Sequence, residues 1–193
     1  NSNACGPCPQ ALLAVQTCDA SRYPDPAYTA LRQQLADFHG VEAGRVVLAG
    51  SASEFIRRMT LAIALLHPGA RVRVPDYAYG EYAAAADALG LRVVREIDDL
   101  DAKDPAWLIW HTEPGSPIGD ARAAPPFNPG ESVLVVDRAY APLRLDGEAP
   151  PVLDGAWQLW SPNKALGLTD VRGAYAIAPA RTPESAVLTD WLT

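Results

Sequence analysis

Only two lysines occur in the chain, Lys103 and Lys164, and they leave fourteen arginines among its sixteen basic residues. Lys103 lies in the acidic run Asp98-Asp99-Leu100-Asp101-Ala102-Lys103-Asp104, which reads as a solvated loop. Lys164 instead sits among small, apolar and neutral polar residues in Ser161-Pro162-Asn163-Lys164-Ala165-Leu166-Gly167-Leu168. An amine so placed is a candidate nucleophile toward a carbonyl carbon, provided partial burial and a nearby cation favour its neutral form. Arg172, eight residues on, is a candidate for that cation, and its planar fork also suits a phosphate. Asp137 closes the β-branched run from Ser132 to Val136, and Tyr140 follows three residues later. A carboxylate at the carboxyl end of a buried parallel strand lies where open α/β sheets bind ligands. Singly, each has an ordinary reading: a surface lysine, a turn-capping aspartate, a salt-bridging arginine. Their combination is more specific.

Cys5, Cys8 and Cys18 are the only cysteines, too few and too close to the N-terminus to cross-link a fold of 193 residues. Cys5-Gly6-Pro7-Cys8 spells a thioredoxin-like redox motif, yet only four residues precede it here, leaving no room for the strand that would activate it. Zinc is the other chemistry open to the pair, but no second C-x-x-C accompanies it, and His39, His67 and His111 are scattered.

The elements that would position these residues alternate. Pro26 to Phe38 has apolar residues at helical spacing and a stop at Gly40. Arg45 to Ala49 reads as a strand, followed by the small-residue turn Gly50 to Glu54 and a helix from about Phe55 to Leu66. Strand Ala70 to Val74, helix Gly80 to Leu89, and strands Leu91 to Glu96 and Ala106 to His111 continue the pattern. Ser132 to Val136, Ala156 to Trp160 and Ala174 to Ala178 complete the strands, and Pro-rich Ala123 to Gly130 reads as a loop. Apolar strands alternating with helices predict an α/β fold, a mostly parallel central sheet with helices on both faces.

With 49% hydrophobic and 20% charged residues, the chain has a globular composition. It contains no apolar run long enough to span a bilayer, and its first residues lack the pattern of a signal peptide, so the expected location is the cytoplasm. A net charge of −7 and the absence of a Lys/Arg cluster argue against a nucleic-acid partner.

Further motifs give these residues a context. Asn1-Ser2-Asn3 with Gly6-Pro7-Cys8-Pro9, Arg22-Tyr23-Pro24-Asp25-Pro26, Pro75-Asp76-Tyr77, Asp137-Arg138-Ala139-Tyr140 and Ser161-x-x-Lys164 with Gly167-Leu168 and Arg172 occur in that order. Together they make the chain resemble the fold-type I pyridoxal-phosphate (PLP) aminotransferases, particularly the histidinol-phosphate aminotransferase-like branch. The resemblance implies PLP as cofactor, joined to Lys164 as a Schiff base. It implies phosphate binding by the backbone of Ser51, Ala52 and Ser53, by Ser161 and Arg172, and by Tyr23 from the other subunit of a homodimer. Tyr77 would cover the cofactor ring, Asp137 would pair with its nitrogen, and Tyr140 would bond its phenolic oxygen. Tyr79 and Tyr82 read as packing or rim residues.

Residues 1–25 are then an N-terminal segment and 26–193 the PLP-binding large domain. The resemblance also implies a smaller domain that supplies the arginine for the substrate carboxylate, which these 193 residues do not include. One departure is local: where the family has Asn-Pro-Thr-Gly, this chain has Ser116-Pro117-Ile118-Gly119, so Ser116 stands at the asparagine that contacts the phenolic oxygen. The activity implied is amino transfer between an amino acid, or a phosphorylated amino compound, and a 2-oxo acid. The alternatives are a decarboxylase or lyase of the same fold, similar to threonine-phosphate decarboxylase, a PLP-binding module without turnover, and a redox or zinc protein built on Cys5 and Cys8.

Overall fold

Short β-branched and apolar runs, each too short for a stable helix, form the sheet. In the computed structural model, which describes residues 3–96, 107–180 and 183–193, these are β1 (Val46–Ala49), β2 (Arg71–Val74), β3 (Arg92–Arg95), β4 (Leu108–Thr112), β5 (Val133–Asp137), β6 (Trp157–Trp160) and β7 (Ala174–Ile177). They hydrogen-bond in the order β1-β7-β6-β5-β4-β2-β3. Strands β6, β5, β4, β2 and β3 run parallel to one another. β7 runs antiparallel to both β1 and β6. The sheet is therefore mostly parallel, as the strand pattern predicts.

The helices are α1 (Pro9–Thr17), α2 (Thr29–His39), α3 (Ala52–Leu66), α4 (Glu81–Ala88), the single turn α5 (Pro162–Ala165) and α6 (Pro183–Leu192). Alternation along the strands divides the core between the two faces. Val47, Val72, Leu108, Trp110, Val135 and Leu159 point to one face, where they join Phe55, Ile56, Met59 and Ile63 of α3, Tyr82 of α4, and Leu188 and Leu192 of α6. Their strand neighbours Ile109, Leu134 and Val136 point the other way, under Phe127, Ala124 and Val152. Helix α2 covers that second face only at its β1/β7 end, through Ala36 against Val46, Tyr175 and Ile177. Helices thus lie on both faces, as the strand pattern predicts. Over the middle of the second face the Pro-rich stretch 123–130 does the covering that a helix would otherwise do.

Boundaries differ where side chains compete with the backbone. α2 begins at Thr29 rather than Pro26, because the Asp25 carboxylate accepts from the Ala27 and Thr29 amides and makes a turn of the intervening residues. α3 begins three residues before Phe55, since the Ser51 hydroxyl accepts from the Glu54 amide and caps it. α1 and α6 were not expected from the pattern. Lys103, together with the start of the strand expected from Ala106, lies outside the described residues.

Candidate active site

The sheet's direction places the chemistry. β5 and β6 are parallel, so Asp137 at the end of β5 and the segment after Trp160 emerge on the same edge. β7 returns antiparallel beside β6, which makes residues 161–173 a tight connection lying along that edge. β1 shares the direction of β6, so α3 also starts there. The carboxyl edge of the sheet therefore gathers Thr112, Asp137, the Lys164 turn and the first turn of α3.

These groups border one cavity of about 280 Å³, lined by Ala52, Tyr79, Tyr82, Thr112, Pro114, Ser116, Asp137, Ala139, Tyr140 and Lys164. That is close to the lower end of the ~300–1,000 Å³ common for small-molecule sites. Asp137 is 7% exposed. One of its oxygens accepts from the Ala139 amide at 2.9 Å and the other from the Tyr82 hydroxyl at 2.6 Å. Burial pushes its pKa above the ordinary carboxylate value, while the Tyr82 and Ala139 hydrogen bonds and the Lys164 charge pull it back. Tyr82 is fully buried, and desolvation followed by the neighbouring Asp137 charge raises its phenol well above its usual range. The Lys164 ammonium stands 5.0 Å from the centre of the Tyr140 ring, a cation–π contact.

The lysine turn is held locally and from afar. The Ser161 hydroxyl donates to the Asn163 side chain at 2.8 Å, and the Leu168 amide donates to the Asn163 carbonyl. From the N-terminal segment, the Cys8 amide donates to the Leu166 carbonyl at 2.8 Å, and the Asn3 side-chain amide donates to the Ala165 carbonyl at 3.0 Å. Cys8 precedes α1 as its cap residue, and all three cysteines are free thiols. Among the described residues no cluster of three or more His, Cys, Asp or Glu side chains is arranged to hold a metal ion. The Ser116 loop is anchored by buried Glu113, which accepts from the Arg122 amide at 3.0 Å and forms an ion pair with Arg144.

Of the residues singled out from the sequence, Ala52, Ser116, Asp137, Tyr140 and Lys164 come together around the cavity. Ser51 is spent on capping α3, and the Ser53 hydroxyl lies 3.0 Å from that of Tyr79. Ser161 is buried beside the lysine turn. Arg172 donates to the Thr169 carbonyl and lines a separate groove with Gly50, Pro162 and Tyr175. Tyr23 is fully exposed. Tyr77, expected to cover a ring, is 67% exposed and faces a neighbouring depression, whereas Tyr79, two residues on, lines the cavity. Sequence reasoning missed Tyr79 and Tyr82 as cavity residues. Tyr79 precedes α4 and Tyr82 lies in its first turn, so no helical periodicity in the sequence marks the two together.

The donor set suits a compound that carries a basic aromatic nitrogen, an electrophilic carbonyl and an anionic group. Asp137 is a buried carboxylate with no ion pair among the described residues, and both of its oxygens keep lone pairs to spare. The phenol and amine of Tyr140 and Lys164 share the same space, and the unpaired amides at the start of the fifteen-residue α3 favour an anion.

A lysine and a carboxylate thus border one cavity at the carboxyl edge of this seven-stranded sheet. The chain belongs to the aminotransferase class I and II family, whose model matches residues 2–189. A histidinol-phosphate aminotransferase of Roseobacter denitrificans is 29% identical over 92% of this chain and 55% of its own length. The histidinol-phosphate aminotransferase of Sinorhizobium meliloti, solved in complex with pyridoxal-5′-phosphate, superposes with a TM-score of 0.80 at 22% identity, over 100% of this chain and 58% of the other. The L-threonine-O-3-phosphate decarboxylase of Porphyromonas gingivalis shares the fold at a TM-score of 0.68 and 18% identity, over 95% of this chain and 57% of the other. The chain spans about half the length of the curated relatives it matches. Among the described residues no helix is long and apolar enough to cross a membrane.

Proposed function

We propose that this chain is the cofactor-binding part of a PLP-dependent aminotransferase that moves an amino group between an amino acid, or a phosphorylated amino compound, and a 2-oxo acid. The observation that carries the reading is the shared cavity of Asp137 and Lys164, with Tyr140 beside the amine. Pyridoxal phosphate, when bound, supplies an aldehyde that condenses with amines and a ring that accepts electron density. Asp137 would hold the ring nitrogen in its protonated form, a role suited to a buried carboxylate that forms no ion pair among the described residues. Tyr140 would donate a hydrogen bond to the ring's phenolic oxygen, and Ser116 would reach the same oxygen through water, being shorter than an asparagine. Lys164 would hold the aldehyde and, once displaced by substrate, carry a proton from the substrate's α-carbon. The first turn of α3 at Ser51, Ala52 and Ser53, with Ser161 and Arg172, would bind the phosphate.

Residues 26–193 form the large domain in this reading, and 1–25 its N-terminal segment. Exposed Tyr23 would act on the phosphate of a second subunit in a homodimer, and the protein would work in the cytoplasm. Absorption spectra of the protein titrated with PLP test the reading. A visible band expected for the wild type is lost in Lys164→Ala. Amino transfer to an oxo acid then assigns the aminotransferase, and carbon dioxide release in its place assigns a decarboxylase. A Lys164→Ala protein that keeps the wild-type band overturns the proposal.

A further inference from the structure

The shortest hydrogen bond to Asp137 comes from a residue that the reading above leaves without a task. Tyr82 lies in α4, fifty-five residues before Asp137 in the chain, and its hydroxyl reaches one carboxylate oxygen at 2.6 Å. That is the length of a charge-assisted O–H···O bond. The ring has no freedom to do otherwise. It is fully buried, stacked on Trp110 of β4 with centroids 4.8 Å apart and planes within 8°, and met edge-on by Tyr79 at 6.0 Å. A tyrosine that served only to fill the core would not need its hydroxyl at the one buried carboxylate bordering the cavity.

We propose that Tyr82 is the positioning residue for Asp137: its hydroxyl keeps the carboxylate ionised and aimed, and so sets the negative charge presented to whatever occupies the cavity. The proposal deepens the PLP reading and rests on it for the identity of the occupant. Among the described residues Asp137 has two fixed donors, Tyr82 and the Ala139 amide, and each stabilises the charged form. Against them stands burial, the largest influence on this group and one that favours the neutral acid. Among the described residues the other titratable groups facing the pair are Tyr79, Tyr140 and Lys164, of which only Lys164 is cationic and none hydrogen-bonds Asp137. Removing one donor of two, in a site where desolvation already opposes ionisation, should move Asp137 toward its protonated form. A protonated acid cannot hold the proton of a basic ring nitrogen as an ion pair. The Tyr82 ring supplies packing, and its hydroxyl supplies charge control, so the two roles separate in Tyr82→Phe.

The experiment follows the Asp137 carboxyl by infrared difference spectroscopy against Asp137→Asn, as a function of pH, in the cofactor-free protein. Tyr82→Phe is expected to raise its proton affinity about tenfold or more, the worth of one hydrogen bond to a charged group. An unchanged titration in a folded Tyr82→Phe protein overturns the proposal, whatever happens to the melting temperature. Should that variant fail to fold, 3-fluorotyrosine at position 82 keeps the shape and strengthens the donor, and is expected to shift the titration the opposite way; no shift again overturns it. A parallel titration with PLP separates this from the reading beneath it. If the wild type forms no Lys164-dependent band, the cofactor assignment fails, while the carboxyl titration still decides whether Tyr82 controls Asp137.

Discussion

The Cys8 amide donates to the Leu166 carbonyl at 2.8 Å, fastening the N-terminal segment to the turn that carries Lys164. The contact is close on both sides. Gly167 adopts φ +65°, and a β-carbon there would run into the backbone of Gly6 and Pro7. The motif Cys5-Gly6-Pro7-Cys8 therefore has a structural use that requires neither redox chemistry nor metal: its Gly-Pro pair passes against the lysine turn.

That seam gives a first test. Gly167→Ala combines a left-handed backbone with a steric conflict and should cost about 1–3 kcal/mol. Gly147→Ala has a similar φ of +72° but open space around it, and should cost less. Thermal melts of the two variants, with limited proteolysis of the N-terminal segment, check the prediction. Equal destabilisation would mean that the seam contributes nothing.

A second concerns the Ser116 loop. Glu113 is 2% exposed and pairs with Arg144, whose side chain is also largely buried. The Glu113→Ala variant leaves a buried guanidinium without its counter-ion and should lose about 3–5 kcal/mol, as seen when one partner of a buried pair is removed. Glu113→Gln retains hydrogen-bonding capacity and should lose less. Urea unfolding of the two variants gives the comparison, and cleavage between residues 113 and 122 should accelerate in the alanine variant first.

Acid sensitivity follows from His39. Its ring accepts or donates a 2.9 Å hydrogen bond with the Tyr175 hydroxyl and packs against Trp160. Burial, then the nearby Arg138 charge, lowers its pKa below the ordinary 6.5. The unfolded chain thus binds the proton more readily than the folded one, so the stability this group contributes is complete above pH 6.5 and is lost as pH falls through its depressed folded value. Melting temperatures at several pH values across this range should fall on acidification, and His39→Gln should fall less steeply. His67 and His111 are depressed by burial in the same way, so the slope should not vanish in the single variant.

The strands and the positions of Asp137 and Lys164 were legible because both follow apolar runs whose direction the parallel pattern implies. Asp137 ends a β-branched run, and Lys164 lies four residues past the apolar run Ala156 to Trp160. Tyr82 was not legible, because its partner is fifty-five residues away and only the stacking of α4 over β4 brings them together. Helix α1 escaped notice for a related reason: it buries no residue, so it leaves no apolar stripe in the sequence. Tyr77 and Tyr79 differ by two residues, and which of them faces the cavity depends on how the chain turns between β2 and α4, a feature no periodicity records.

Asp137 itself should cost the cofactor-free protein stability. Its folded pKa is raised, chiefly by burial, so the folded state binds the proton more tightly than the unfolded chain does. The stabilisation from this group is complete below pH 3.8 and disappears as pH rises through the raised folded value, leaving a penalty at neutral pH. Asp137→Asn removes the charge but keeps an oxygen able to accept from Tyr82. It should therefore melt higher than the wild type at pH 7–8, by about 2–4 °C if the penalty is roughly 1 kcal/mol for a domain of this size. The advantage should shrink as pH falls and the wild-type carboxyl becomes neutral. Scanning calorimetry of both proteins between pH 4 and 8 measures it. A wild type that is the more stable at neutral pH would show that the Tyr82 and Ala139 hydrogen bonds more than offset the desolvation of the carboxylate. The opposite order would mark Asp137 as a residue kept at the expense of stability, as expected of a group whose charge serves the cavity and not the fold.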